Sequence, residues 1–176
     1  QNCRKSGGLK ATYGTGSSVM MNIGDKPLFS NKGIVTSLAW GMNSRVEYVF
    51  EGNLNYTGAI VRWLKNDLGL IERDHQADEW AAEANPEDRT YFVPAFTGLG
   101  APYWDPKATG LFTGITRMTG KKEMAKACIE SIAYQITDLI ELMRSESGRE
   151  IPEIRVDGGP TANRYMMQFQ SDILGS

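Results

Sequence analysis

Apolar and polar positions alternate through the first fifty residues and then change period. Ala11–Ile23 has the Thr, Tyr, Val and Met content of a strand, with Gly14-Thr-Gly16 embedded in it, and Gly24-Asp25 marks a turn. Two more apolar runs, Ile34–Trp40 and Arg45–Phe50, are separated by Asn43-Ser44. In the second of these, Val46, Tyr48 and Phe50 alternate with Glu47, Val49 and Glu51, as a half-exposed strand would. Three successive strands joined by tight turns predict an antiparallel meander.

After Asn55 the spacing becomes helical. Ala59, Ile60, Trp63, Leu64 and Leu68 recur at three- and four-residue steps, and Gly69 fits the stop. Ala77–Ala84 reads as a shorter helix ended by Asn85-Pro86, and Tyr91–Phe96 as a strand. Gly98–Thr109 is a loop rich in Gly and Pro, and Leu111–Ile115 is another short strand. The longest helix is expected from about Lys121 to Ser145, where Met124, Cys128, Ile132, Ile136, Leu139 and Met143 form one apolar stripe that Gly148 ends. Ile151–Val156 supplies a last strand and Pro160–Leu174 a last helix. A meander followed by alternating helices and strands predicts an α/β fold, a mixed sheet with helices on its faces.

Composition narrows the class without naming it. The 176 residues suffice for one core, and 41% hydrophobic with 23% charged residues is ordinary for a globular chain. A net charge of −2 argues against a general nucleic-acid surface. No apolar run approaches the roughly 20 residues that cross a bilayer, so no membrane association is expected. Gln1–Lys10 is polar and basic, unlike a signal peptide, and two cysteines, Cys3 and Cys128, suit a reduced compartment. A cytoplasmic protein is the expectation. The absence of an initial Met and the stop at Gly175-Ser176 are expected of a fragment.

Four stretches could carry chemistry. Ile154–Asn163 reads as a short buried strand ending at Val156, a turn on Asp157, Gly158 and Gly159, and a helix entered near Pro160. The two glycines remove Cβ atoms from a ligand's approach, and the first helical amides could hold an anion or a nucleotide's polar edge. A tight αβ connection is the plainer alternative. In Ala11–Ser18, Thr15 between Gly14 and Gly16 offers a hydroxyl and an amide to a terminal phosphate, against the alternative of a β-bulge. In Asn55–Arg62, Thr57 is a candidate N-cap and Gly58 leaves the first turn bare. Arg62 lies one turn later on the same face, either toward a nucleotide's phosphates or simply solvated. Tyr91–Pro106 is unusually apolar for its Gly and Pro content, and Tyr103 and Trp104 there either cover a site or, preferably, pack against another domain. His75, the single histidine, falls in a charged turn expected to be exposed. No metal-ligand spacing, Ser-His pair or Walker-type loop is present, and Met20, Met21, Met166 and Met167 are expected in the core.

Taken together, Thr12–Gly16, Tyr91–Pro106 and Val156–Gly159 with Ala162-Asn163 resemble the glycerol kinases of the FGGY carbohydrate kinase family. The likeness runs from Gln1 to Gly175 and continues through Asn163–Gly175. It implies the ribonuclease H-like superfold of actin, hexokinase and Hsp70. Residues 1–176 would be the second, nucleotide-binding domain of a two-domain kinase, truncated at both ends and lacking its N-terminal kinase domain. By position, Thr15 matches a threonine beside the transferred phosphoryl group and Gly58 a glycine near the ADP phosphates. Gly159 and Asn163 match residues that hold the nucleoside. The implied cofactor-binding set is Thr15, Gly16, Gly58, Arg62, Gly158, Gly159 and Asn163, with ATP/ADP and Mg²⁺ as cofactors and no metal ligand from the chain. The resemblance implies phosphoryl transfer to a primary hydroxyl of a polyol or sugar, by a homo-oligomer when full-length.

The departures from the family matter. Its general-base aspartate lies upstream of Gln1, so no catalytic residue is expected in the fragment, which should itself be inactive. Ser18 stands where a phenylalanine usually packs against the substrate carbons, which suggests a longer or more polar acceptor. Arg62 replaces a glutamine near the nucleotide. The alternative to a kinase is a noncatalytic nucleotide-binding module of the same superfold, working in regulation or interaction.

Overall fold

The computed structural model describes residues 1–175. Strands β1 (Leu9–Tyr13) and β2 (Ser17–Gly24) form an antiparallel hairpin whose turn is Gly14-Thr-Gly16. The run expected as one strand, Ala11–Ile23, is therefore two. The Gly14 amide donates to the Gly16 carbonyl at 2.8 Å and reverses the chain, so these glycines make a turn and not a bulge.

Strands β3 (Val35–Met42) and β4 (Arg45–Leu54) pair through a turn at Asn43-Ser44, both with left-handed backbone (φ 50° and 63°). Together with β7 (Ile154–Asp157) they complete a five-stranded sheet of order β3-β4-β2-β1-β7. All pairings are antiparallel except β1 with β7. The expected meander order is thus corrected: β4, not β3, lies beside β2. Burial explains the choice. Phe50, Gly52 and Leu54 of β4 stand opposite Met21, Val19 and Ser17 on the covered face, whereas β3 has no fully buried position and suits the edge. The ten residues between Gly24 and Val35 give the chain enough length to reach it. At the other edge β7 is only half-buried, with Val156 41% exposed, so the strand expected to be buried borders solvent.

One helix layer covers the face that carries Leu9, Ala11, Tyr13, Val19, Met21 and Ile23. Its spine is α3 (Lys121–Ser147), two residues longer than the stripe predicts and ended by Gly148 at φ 63°. Cys128, Ile132, Ile136, Leu139 and Met143 of that stripe are buried, and Met124 is half-buried. Leu139 reaches β4 because Gly52 has no side chain there; a Cβ would sit 2.8 Å from it. Sealing a leucine in this way contributes about 1.5–3 kcal/mol. The α3 start is held by Glu123, whose carboxylate accepts the Gly120 amide at 2.9 Å and the Asn85 amide at 3.0 Å.

Helices α1 (Gly58–Asn66), α2 (Gln76–Glu83) and α4 (Arg164–Leu174) pack around this spine. Ile60 and Leu64 of α1 are fully buried, and Trp63 stacks on Phe92 of the small ladder β5 (Tyr91–Val93) with β6 (Leu111–Thr113). Helix α4 is tied to the sheet by the Tyr13 hydroxyl, which donates to Gln170 at 3.3 Å, while burial pushes that phenol's pKa up. Met21 and Met166 lie in the core, and Met20 and Met167 are half-buried. The Gly98–Thr109 segment is irregular, as expected. Tyr103 (56% exposed) donates to Asp138 of α3 at 2.7 Å, and the Trp104 indole (59% exposed) to the Gly33 carbonyl at 2.8 Å.

Candidate functional site

Three distant segments meet at one end of the sheet. The Gly14-Thr-Gly16 turn leaves the tips of β1 and β2, and the first amides of α1 are aimed at it. The Gly58 amide donates to the Gly14 carbonyl at 2.9 Å, and the Thr57 and Ala59 amides to the Thr15 carbonyl at 2.9 and 3.1 Å. These helix-end amides would otherwise lack partners. The turn after β7 closes against the same place: Gly158 lies on Tyr13, and Pro160 stands 3.5 Å from the Cβ position of Gly58.

The glycines do not all serve as bare backbone for a ligand. A Cβ at Gly58 would lie 2.7 Å from the Gly14 oxygen, and one at Gly16 would strike the Leu54 carbonyl. At Gly158, with φ 103°, it would collide with the Tyr13 carbonyl. In these three the missing side chain admits neighbouring chain, which corrects the expectation that it clears a ligand's approach. Gly159 is different: nothing lies within 4 Å of its Cβ position.

Arg62 and Thr15 are brought together. The guanidinium donates to the Thr15 hydroxyl at 2.7 Å, so Arg62 is exposed yet anchored to the turn. Thr57 is no side-chain cap; its hydroxyl pairs with Ser17 at 2.7 Å inside the core. Ser18 sits on β2 between Thr12 of β1 and Asn53 of β4. Its Oγ is shielded from solvent and has no hydrogen-bond partner among the described residues.

The segment after β7 also departs from expectation. A 3-10 turn (Gly159–Ala162) comes first, and α4 begins only at Arg164, because Asn163 resets the backbone and caps it. Asn163 Oδ1 accepts the Met166 amide at 2.7 Å, while Asp78 of α2 accepts the amides of Tyr165 at 2.8 Å and Arg164 at 3.3 Å. The helix amides expected to hold an anion are therefore already engaged. What remains for a ligand is the Nδ2 donor of Asn163, unpartnered among the described residues.

These elements enclose a cavity of about 520 Å³, whose lining includes Gly58, Gly159, Pro160, Ala162 and Asn163. Val61, Ile129, Ile132 and Met166 give it apolar walls, and Asp74, His75 and Asp78 border it. His75 is exposed, as expected, and its ring faces Glu79 at 3.7 Å. An apolar slot with a few polar groups at its rim suits a flat heterocycle and its sugar. Thr15 and Arg62, on the far side of Gly58, are not among the cavity's lining residues and offer a hydroxyl and a guanidinium beside it. Asp78 went unrecognised in the sequence, where His75 reads only as an exposed turn residue. An acidic residue in a helix's first turn signals its own helix, and nothing local points to amides 86 and 87 residues away. Among the described residues, no group of three or more His, Cys, Asp or Glu could hold a metal ion, and no helix is long and apolar enough to cross a membrane.

The FGGY family of carbohydrate kinases, C-terminal domain, matches residues 9–176. A glycerol kinase of Lactobacillus acidophilus is 46% identical over 171 residues, 97% of this chain and 34% of that protein. Glycerol kinase 2 of Thermotoga maritima is 46% identical over 175 residues, 99% of this chain and 35% of that protein. Among solved structures, Plasmodium falciparum glycerol kinase with ADP matches with a TM-score of 0.91 at 33% identity, over 98% of this chain and 34% of that one. The chain thus spans about a third of the length of the relatives it matches.

Proposed function

Because the chain belongs to the FGGY family of carbohydrate kinases, we propose that it is the nucleotide-binding lobe of a cytoplasmic, ATP-dependent kinase acting on a primary hydroxyl of a polyol or sugar. The observation that carries this reading is the meeting of the 14–16 turn, the α1 start and the 158–163 segment beside one cavity. ATP supplies the phosphoryl group in such chemistry, and Mg²⁺ shields its charge.

The chain's own residues bind and orient. The apolar walls around Ile129, Ile132 and Met166 exclude water from the base, and Asn163 Nδ2 donates to the nucleoside. Gly159 lets that moiety approach the backbone closely. Thr15, fixed by Arg62 and by the α1 amides, presents its hydroxyl toward the phosphate end. Arg62 supplies positive charge there, beside the charge that Mg²⁺ shields. The family resemblance puts the base that accepts the acceptor hydroxyl's proton in the N-terminal kinase domain, and on this reading the lobe alone is inactive. Ser18, with its orphaned hydroxyl, favours an acceptor longer or more polar than glycerol. The noncatalytic-module alternative finds no support in the kinases matched.

Titration with ADP, followed by amide chemical shifts, tests the reading. Gly58, Gly159 and Asn163 are expected to shift together and saturably. Shifts confined to another face, or none at millimolar ADP, would remove it.

A further inference from the structure

A second cavity lies behind the first, between α2, α3, α4 and the segment entering β5. It measures about 310 Å³, at the small end of the roughly 300–1,000 Å³ usual for ligand sites. Its walls are aromatic. The Tyr91 and Tyr134 rings stand 6.1 Å apart, and Phe169 lies 5.4 Å edge-on to Tyr134 and 6.2 Å from the parallel ring of Tyr165.

Four charged residues line it, and they differ in what they have left to offer. The anions are engaged. Glu130, only 6% exposed, accepts the Tyr165 hydroxyl at 2.6 Å. Asp88 accepts the Thr90 amide at 2.8 Å and the Thr119 hydroxyl at 3.0 Å. Burial alone would raise the Asp88 carboxyl; those hydrogen bonds, with the field of Lys126, outweigh it and hold the group low. The cations are less fully engaged. Lys126 reaches the Asn85 carbonyl at 3.5 Å and Glu130 at 4.0 Å, and its charge also acts on Asp88. The exposed Arg89 guanidinium and the partly exposed hydroxyls of Tyr91 and Tyr134 have no hydrogen-bond partner among the described residues. Free donors beside aromatic faces select an anion on a ring-sized body.

The two cavities share one residue's connections. Tyr165 donates its amide to Asp78, on the rim of the nucleoside cavity, and its hydroxyl to Glu130, in the wall of the second. An anion that draws Lys126 away from Glu130 alters the carboxylate holding Tyr165, and with it the start of α4, where Asn163 sits. The geometry points to a binding site for a small organic oxyanion, a phosphate monoester or a carboxylate on a ring, whose occupancy is felt at the nucleoside cavity. The coupling rests on the nucleotide reading; the binding does not.

Phenyl phosphate and benzoate are the probes, with benzyl alcohol as the neutral control, each followed by amide and aromatic chemical shifts. At least one anion should shift Tyr91, Tyr134 and Phe169 saturably. Saturation by phenyl phosphate assigns a phosphate ester, and saturation by benzoate a carboxylate. The alcohol should leave these signals in place. Arg89→Ala, an exposed change, should weaken the anion about tenfold or more, as loss of a charged hydrogen bond does. Saturation by neither anion, equal affinity in Arg89→Ala, or shifts confined to Gly58 and Gly159 overturns the site. Saturating ADP should change the probe's Kd by about fivefold or more, and the probe should change that of ADP by the same factor. Tyr165→Phe should keep the anion and lose this linkage. Equal probe affinity with and without bound ADP overturns the coupling, and if ADP itself shifts nothing, the coupling falls with the nucleotide reading while the anion site stands.

Discussion

Adjacent glycines at 158 and 159 should respond to alanine in opposite ways. Gly158 has φ 103°, and its Cβ position is 2.7 Å from the Tyr13 carbonyl carbon and nearer still to its oxygen. Left-handed backbone costs a substituted residue about 1–2 kcal/mol, and forced overpacking about 1–3 kcal/mol more. Gly158→Ala should therefore lose roughly 2–5 kcal/mol, moving a urea midpoint down by about 1–2.5 M for a slope near 2 kcal/mol/M. Gly159→Ala meets open space at an ordinary backbone angle, so its stability should hold or rise by about 0.4–1 kcal/mol. Its methyl instead enters the nucleoside cavity, where overpacking of about 1–3 kcal/mol becomes a roughly 5- to 150-fold loss of ADP affinity. Urea unfolding by circular dichroism and calorimetric titration with ADP separate the two effects. Gly159→Ala binding ADP like the parent would refute the placement of the nucleoside, and an unshifted midpoint in Gly158→Ala would refute the contact with Tyr13.

Glu123 should give acid sensitivity. Its carboxyl lies below the ordinary value, first because the Asn85 amide donates to it, with burial opposing and the Gly120 amide assisting. A lowered folded pKa means the stabilisation is complete above the unfolded value of about 4.3 and is lost as pH falls through the folded one. Glu123→Gln should thus be less stable at neutral pH and lose less than the parent on acidification; identical pH profiles of the unfolding midpoint would contradict this. The Tyr103 phenol is pushed up to about 12 by burial, then by its hydrogen bond to Asp138 and that carboxylate's charge. In Asp138→Asn its absorbance titration should move back toward about 10, and an unmoved curve would show that the loop is not held there. In the intact kinase, Ser18→Phe should shift kcat/KM toward glycerol and away from four-carbon polyols by about 10- to 200-fold. An unchanged ratio would remove Ser18 from the acceptor site.

The helices were legible from local spacing, because α3 buries a stripe that recurs every three or four residues and stops on Gly148. The sheet order was not. Adjacency in sequence suggested that β2 would meet β3, but the apolar positions of β4 match those of β2 across the covered face, and the connection from Gly24 to Val35 is long enough to allow it. Gly14-Thr-Gly16 was visible as unusual, yet a turn and an interrupted strand share that composition. The site's glycines were legible as places of close approach, while the partner at each was not, since Leu54, Gly14 and Tyr13 come near only when the sheet is assembled. Thr57 has the residue type of a cap, but Ser17 claims its hydroxyl from forty positions away. Asn163, by contrast, had both the residue type and the spacing to Met166 of an N-cap, a signal that Pro160 obscured.

The turn at Thr15 is clamped from behind by three amides of one helix start and from the side by Arg62. Its loss of conformational freedom occurs during folding, before any ligand arrives. Such a preorganised tip leaves little ordering entropy to be lost on association, so the heat capacity change of ADP binding should come from the half-buried apolar surface of Val61 and Pro160, since Ile129 and Ile132 are already sealed. Free and occupied forms should accordingly superpose at residues 13–16, with any adjustment falling on the far wall, where α4 leans on α2.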